Sequence, residues 1–357
     1  MRSYGVFLVA VLWLVLALPV SGASPCRVGT ERVEGSVVYR CVPLGKRTRL
    51  FPIACLTPSK KRVGAGSVVV ENGKTFKCQL SLIPVSSTQA APSTHKPLEI
   101  ASYNVQVFGQ RKAQKPEVMN VLVSTIRQFD LISILEIRDS KETAVNTLLA
   151  RVNSGLPASQ QYAMVVGQRE GRSNSKEQNA FLYRKSRLSV EKYETYSDPK
   201  DRFERAPFIV SFKTKDAAVS SFVMVGAHTL PAQAQPELNA MVEVYEYAKK
   251  KYKQMNILLS GDFNAGCSYL TKTKLAASPL RTNKSFKWHI KDDMDTTVGA
   301  SSCAYDRFIS TGTWSTQLSN GRVIRYDKAP SGSQKKPISS ELAKQVSDRY
   351  PIAVTLQ

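Results

Sequence analysis

The sequence predicts a large domain of α+β class, made of mixed β-sheets with helices packed on them, behind a small disulfide-rich module of β type. Three observations predict it. Apolar strand-like runs alternate with amphipathic helical stretches over residues 98–357. Four of the six cysteines crowd into residues 24–82, and a Pro/Ser/Thr-rich stretch without any apolar period separates the two regions.

The N-terminus reads Met1-Arg2, an apolar run from Val6 to Leu18, then Pro19, Val20, Ser21, Gly22 and Ala23. A positive start, an apolar middle and small residues at the end form the pattern of a cleaved signal peptide over residues 1–23, so the protein is expected to be secreted and extracellular. The run is shorter than the roughly 20 residues that span a bilayer, and no later run reaches that length, so no transmembrane segment is expected.

Residues 24–82 carry Cys26, Cys41, Cys55 and Cys78 among short β-like runs and turns such as Asn72-Gly73. An even cysteine set in an oxidising compartment reads as disulfides that staple a domain too small to hold itself by its core; the pairing stays open. No C-x2-C pair is present to suggest zinc. The module is basic, with Arg27, Arg32, Arg40, Lys46, Arg47, Arg49, Lys60, Lys61, Arg62, Lys74 and Lys77 against only Glu31, Glu34 and Glu71. Together with a formal net charge of +22 for the chain, this points to a polyanionic partner: DNA, or other extracellular polyanions reached through the first module. Residues 83–97 (IPVSSTQAAPSTHKP) read as a linker with hydroxyls open to O-glycosylation.

In the large domain, apolar runs at Ile100 to Phe108, Leu131 to Ile137, Ala180 to Tyr183, Phe222 to Ala227, Ile257 to Leu259, Arg307 to Ile309 and Ile352 to Leu356 predict strands. Helical periodicity marks Val118 to Phe129, Thr143 to Val152 and Glu237 to Tyr252. Polar residues stand where strands run out: Asn104, Glu136, Asp262 and Asn264, with Asp348 just before the last strand. Taken singly these are ordinary turn residues. As a set, carboxylate and amide oxygens gathered at the edge of a rigid sheet suit a hard divalent cation.

The segments Tyr103-Asn104-Val105-Gln106, Leu135-Glu136-Ile137-Arg138-Asp139-Ser140, Gly261-Asp262-Phe263-Asn264-Ala265-Gly266-Cys267-Ser268-Tyr269 and Cys303-Ala304-Tyr305-Asp306-Arg307 resemble those of the deoxyribonuclease I family, in the family's order and at comparable spacings. That family lies within the superfamily of endonucleases, exonucleases and phosphatases, and the resemblance covers residues 98–357. It implies a four-layer α/β/β/α sandwich of two packed mixed β-sheets, a disulfide between Cys267 and Cys303, and hydrolysis of DNA phosphodiester bonds with Mg2+ or Mn2+ at the active site.

Carried over position by position, the resemblance makes Glu136 the principal metal ligand, with Asn104 and Asp348 completing the metal and phosphate site. Asp262 and Asn264 would orient the attacking water and hold the phosphate. His228 resembles the family's first catalytic histidine and Glu177 its carboxylate partner, which raises the imidazole's proton affinity and fixes its tautomer. Arg138 and Arg205 resemble arginines that grip the DNA backbone.

One position departs. Where the family has Ser-Asp-His-x-Pro, this chain has Ser347-Asp348-Arg349-Tyr350-Pro351. A guanidinium stays protonated, so Arg349 can bind phosphate but cannot act as a base, and Asp306, which in the family supports the histidine, is left to pair with Arg349. Elsewhere Ser175 stands for a DNA-contacting tyrosine and Asn179 for an aromatic residue. Asp295 and Thr297 keep the start of a structural Ca2+ loop, followed by Gly299 and Ser301; a second Ca2+ site keeps Asp201 but has Ala206 in place of its glutamate. Val166 matches a contact that some members make with actin, whereas Met164 and Phe208 do not, so the resemblance carries actin binding only weakly.

The leading expectation is a secreted, metal-dependent DNA endonuclease. Against it stand a DNA-binding pseudonuclease that has lost its base at Arg349, and another phosphodiesterase of the same superfamily.

Overall fold

The computed structural model describes residues 31–34, 37–44, 47–56, 59–64, 68–71, 74–77, 95–328 and 336–357. The signal-peptide segment, Cys26, Cys78, the pairing of the four early cysteines and most of the linker lie outside the described residues. The chain divides into two compact units, Met1–Ala91 and Pro92–Gln357.

In the first unit, strands β1 (Glu31–Glu34), β2 (Val37–Leu44), β3 (Arg47–Leu56) and β4 (Arg62–Gly64) form an antiparallel sheet in that order, and β5 (Val68–Glu71) pairs with β6 (Lys74–Lys77). Arg62 reaches Glu31 at 2.8 Å across the sheet.

The second unit is a sandwich of two six-stranded mixed sheets. One contains β7 (Leu98–Phe108), β8 (Leu131–Ile137), β9 (Tyr162–Val166), β10 (Gln178–Arg184), β17 (Arg322–Val323) and β18 (Ile352–Leu356), in the order β17-β18-β7-β8-β10-β9. The other contains β11 (Leu188–Thr195), β12 (Phe208–Thr214), β13 (Ser221–His228), β14 (Ile257–Asp262), β15 (Lys287–Trp288) and β16 (Asp306–Thr311), in the order β11-β12-β13-β14-β16-β15. Each sheet has one parallel pair at its centre, β7 with β8 and β13 with β14. Helices α1 (Gln110–Ala113), α2 (Pro116–Ile126), α3 (Thr143–Asn153) and α7 (Ser340–Val346) accompany the first sheet; α4 (Ala234–Tyr252), α5 (Lys272–Ala276) and α6 (Pro279–Thr282) accompany the second.

Side-chain alternation makes these layers. In β14, Ile257 and Leu259 pack under the helices while Leu258 joins Phe181, Phe212, Phe222 and Phe308 between the sheets. A strand buried on both faces favours apolar residues, which explains why the central strands read as near-continuous apolar runs, broken by buried Ser102, Ser133 and Ser260. Strand β11 lacks that signal because it carries polar residues on a partly open face, as in the Glu191, Lys192, Tyr193 stretch; β9 (YAMVV) and the start of β12 (FIVSF) are apolar, and the strands predicted from sequence do not include them.

The register sets the site. Across the parallel pair β13 and β14, His228 lies opposite Asp262, and across the antiparallel pair β14 and β16, Asp262 lies opposite Asp306. The three therefore end their strands in one row. In the facing sheet, Asn104 pairs with Leu135, one residue before Glu136. Among the described residues, no helix is long and apolar enough to cross a membrane.

Candidate active site

Glu136 and its surroundings rest on irregular backbone. The pairing of β7 with β8 shifts between Asn104 and Phe108, and Gln106, Val107 and Glu136 all have φ between 46° and 61°. Such conformations cost on the order of 1–3 kcal/mol each outside glycine, and a β-branched Val107 is an especially unfavourable occupant. Side chains stabilise the bulge: the Gln106 N–H donates to Asn104 Oδ1 at 2.9 Å and the Val107 N–H to Glu136 Oε2 at 2.9 Å. Asn104 Nδ2 then donates to Glu136 Oε1 at 2.9 Å and to Asp262 Oδ2 at 3.1 Å, joining the two sheets.

Lys112, which no sequence motif singles out, donates its ammonium to the carbonyls of Val105, Gln106 and Val346. It ties the bulge to the end of α7, and burial pushes its pKa down to about 8. Just past Val346 the chain is anchored again, since Ser347 Oγ donates to the Asn104 carbonyl at 2.6 Å and accepts from the Arg349 N–H at 3.1 Å.

Glu177 and His228 form a buried pair, with Nδ1 of the imidazole 2.8 Å from Oε2 of the carboxylate. Nε2 is 3.8 Å from Glu136 Oε1. Glu177 also receives Arg138, whose Nε and Nη2 reach Oε1 at 3.1 and 2.5 Å, and Arg205, whose Nε lies 3.0 Å from Oε2. Burial alone would raise the pKa of Glu177; the hydrogen bond from His228 and the three nearby cationic groups outweigh it and hold the value at about 2. Burial likewise opposes protonation of His228, but the Glu177 carboxylate wins and raises its pKa. Nδ1 is thus the protonated, oriented nitrogen, leaving Nε2 to exchange a proton.

Asp262 has no exposed surface and its Oδ1 accepts the Asn264 N–H at 3.0 Å, while Asn264 Nδ2 donates to the Thr229 carbonyl at 2.9 Å. Asn264 adopts φ 48°, a conformation asparagine tolerates better than most residues. Cys267 and Cys303 are joined in a disulfide with Cα atoms 5.8 Å apart, which ties the loop after Asp262 to the segment leading into Asp306.

Arg349 lies among carboxylates. Its Nη1 is 2.8 Å from Asp348 Oδ2, its Nε 3.0 Å from Asp262 Oδ2 and 3.8 Å from Asp306 Oδ2, and its Nη2 3.5 Å from Asn264 Oδ1. The guanidinium carbon stands 4.7 Å from the centre of the Tyr305 ring. Burial disfavours its charge, but Asp262, Asp306 and Asp348 together raise its pKa further above its already high ordinary value. The expected partner, Asp306, is the most distant of the three carboxylates. Burial first, and the Asp262 charge second, push the Asp306 pKa well up. His289 offers no substitute base here: it is buried, its Nδ1 and Nε2 are 2.9 Å and 2.7 Å from the Ser319 carbonyl and Ser310 Oγ, and burial lowers its pKa to about 4.

Glu237, in the first turn of α4, is a second residue that sequence reasoning missed. Its side chain is buried and accepts the N–H groups of Glu204 and Leu230, both at 3.2 Å. One carboxylate therefore clasps the segment carrying Arg205 to the strand end carrying His228. Burial raises its pKa to about 7. A glutamate at the first turn of an amphipathic helix reads as an ordinary dipole partner, so periodicity could not single it out.

The donor atoms decide which cation sites fit. Glu136, Glu177 and His228 offer ligand atoms within 4.8 Å of one another, but the last two are committed to each other and to arginines. Glu136 retains acceptor capacity on both oxygens, and Asp348 Oδ1 is buried without a hydrogen-bond partner among the described residues. An oxygen-rich set with an orphaned carboxylate oxygen suits a hard divalent ion. The Ca2+ loop fits less well. Asp295 Oδ1 accepts from Thr297 N and Oγ1, and its Oδ2 already pairs with Arg325 at 3.1 Å. At the second Ca2+ position Asp201 pairs with Arg172 at 2.8 Å.

Residues 101–327 match the Endonuclease/Exonuclease/phosphatase family. Over 265 residues the chain is 35% identical to deoxyribonuclease-1 of Bos taurus, covering 72% of this chain and 92% of that protein. It is 37% identical over 265 residues to deoxyribonuclease gamma of Mus musculus, covering 73% and 84%. A solved endonuclease/exonuclease/phosphatase from Bacteroides vulgatus superposes with a TM-score of 0.50 at 15% identity over 73% of this chain and 99% of its own, a likeness of fold alone. The chain belongs to the endonuclease/exonuclease/phosphatase family, on its deoxyribonuclease I branch.

Proposed function

We propose that this protein is a secreted, divalent-metal-dependent endonuclease that hydrolyses phosphodiester bonds of extracellular DNA, with its acid-base power cut back because Arg349 stands where its relatives would place a second histidine. The observation that carries the reading is the Glu177–His228 pair at 2.8 Å, set in one row with Asp262 and facing Glu136.

Arg138 and Arg205 hold the DNA backbone by charge-assisted hydrogen bonds, and Asn264 positions the scissile phosphate. Asp262 orients the attacking water. His228 moves a proton at Nε2 while Glu177 stabilises the charged imidazole through Nδ1. Glu136, Asn104 and Asp348 would hold Mg2+ or Mn2+, which when bound neutralises charge developing on the phosphate oxygens. Arg349 pairs with Asp262 at 3.0 Å and adds a fixed positive charge beside the phosphate, but it takes no proton.

Nicking of supercoiled plasmid in parallel reactions with Mg2+, Mn2+ and EDTA tests the reading: cutting is expected in the metal reactions only. A second reading is favoured by Arg349 itself, whose charge is engaged by Asp262, Asp306 and Asp348 and which offers no second base: a protein that binds DNA and does not cut it. Absence of nicking under all conditions, with retained salt-dependent binding, would select that reading.

A further inference from the structure

The sequence holds a single Asn-X-Ser/Thr triplet with X other than proline, Asn283-Lys284-Ser285, and the structure places all three residues on the surface. Asn283 ends α6 and begins the loop to β15. The loop is pinned on both sides, by buried Leu280 in α6 and by Phe286, whose ring meets that of Tyr245 in α4 at 5.0 Å. Between these anchors the backbone turns outward: the Ser285 N–H donates to Asn283 Oδ1 at 2.9 Å and the Phe286 N–H to the Asn283 carbonyl at 3.1 Å. Among the described residues Asn283 Nδ2 has no hydrogen-bond partner, so the amide nitrogen that would be modified is free while its oxygen is held in place.

We infer that Asn283 is an N-glycosylation acceptor, modified by a lipid-diphosphate-linked oligosaccharide during passage through the secretory pathway. This inference rests on the reading of residues 1–23 as a signal peptide. In the transfer a bond forms between Asn283 Nδ2 and the anomeric carbon of the sugar. The bond from that carbon to the lipid diphosphate breaks, the diphosphate leaves with the electron pair, and the amide gives up one proton; nothing is oxidised or reduced.

The sheet register says where the glycan would stand. Lys287 pairs with Ser310 in β16, four residues beyond Asp306, which at about 3.3 Å per residue puts the acceptor loop roughly 13 Å or more from the row of site residues. A glycan there lies beside the outer helical layer and leaves the cleft open.

The full chain is expressed in cultured animal cells in two forms, with its own residues 1–23 and with the leader of an unrelated secreted protein. Digestion with peptide N-glycosidase is expected to give a single step in mobility for both and to convert Asn283 to Asp in the peptide spectrum. The step disappears in Asn283→Gln and Ser285→Ala and persists in Ser285→Thr. Plasmid nicking by Asn283→Gln matches the unaltered protein. A step seen only with the borrowed leader leaves the acceptor standing and removes the signal-peptide reading. No step with the borrowed leader, or a step that survives in Asn283→Gln, overturns the inference.

Discussion

Nε of Arg349 lies 3.0 Å from Oδ2 of Asp262, a carboxylate with no exposed surface. The same oxygen accepts from Asn104 at 3.1 Å, so the arginine is wired through one atom to the residues that surround Glu136.

Arg349→His should raise DNA cleavage by at least about tenfold, because it returns a titratable group to the neighbourhood of Asp306 and general acid-base help is typically worth a factor of about 10² to 10⁴. Initial rates of supercoiled-plasmid nicking measure it. A folded variant with no gain would show that Arg349 is not what limits the rate.

Arg349→Ala strips the counter-charge from Asp262, Asp306 and Asp348. Removing one partner of a buried ion pair typically costs about 3 kcal/mol or more. Denaturant unfolding should show that loss at pH 8 and a smaller one at pH 4, where protonation relieves the repulsion among the carboxylates. An equal loss at both pH values would assign the effect to packing on Tyr305 instead.

Glu136→Ala and Asp262→Ala should both abolish cleavage, for different reasons. Calorimetry with Mn2+ is expected to find metal affinity greatly weakened in the first and largely retained in the second, since the first loses the ligand and the second the group that orients water. Equal retention of metal binding would displace Glu136 from the centre.

Glu237 carries a pH dependence whose sign can be worked out. Its folded pKa, about 7, lies above the ordinary value of 4.5, so between those limits the folded protein binds the extra proton. Its contribution to stability is therefore complete below about pH 4.5 and is lost as pH rises through 7, by on the order of 3 kcal/mol. Glu237→Gln should flatten that part of the curve of unfolding free energy against pH. A variant whose curve keeps the unaltered slope between pH 5 and 8 would place the titration elsewhere.

DNA affinity should fall steeply with salt, and replacing Arg40, Arg47, Arg49, Lys74 and Lys77 by serine should make the slope of log affinity against log salt shallower, by up to about 0.9 for each phosphate no longer neutralised. Filter binding in EDTA measures it without cleavage. An unchanged slope would show that the first unit does not take part in holding DNA.

Much of this site could be read in the sequence because strand ends are linear signals: Asn104, Glu136 and Asp262 each follow a continuous apolar run, and burial of both faces makes such runs hard to mistake. The family resemblance implied two packed sheets but no strand order, since nothing local specifies that β14 sits between β13 and β16. Lys112 and Glu237 stayed hidden for a related reason. Their partners are main-chain groups, the carbonyls of Val105, Gln106 and Val346 and the N–H groups of Glu204 and Leu230, which nearly every residue possesses and no motif records. Arg349 was visible as a departure, but that its nearest carboxylates are Asp348 and Asp262 rather than Asp306 required coordinates.

The bridge between Cys267 and Cys303 closes a loop of 36 residues, a constraint worth about 4 kcal/mol in loop-closure entropy. Its value depends on where the chain finds itself. A copy left behind in a reducing cytosol would carry two free thiols there, and the segments holding Asp262 and Asp306 would lose the link between them. On the proposed secreted reading, that link is made along the export route and not before it.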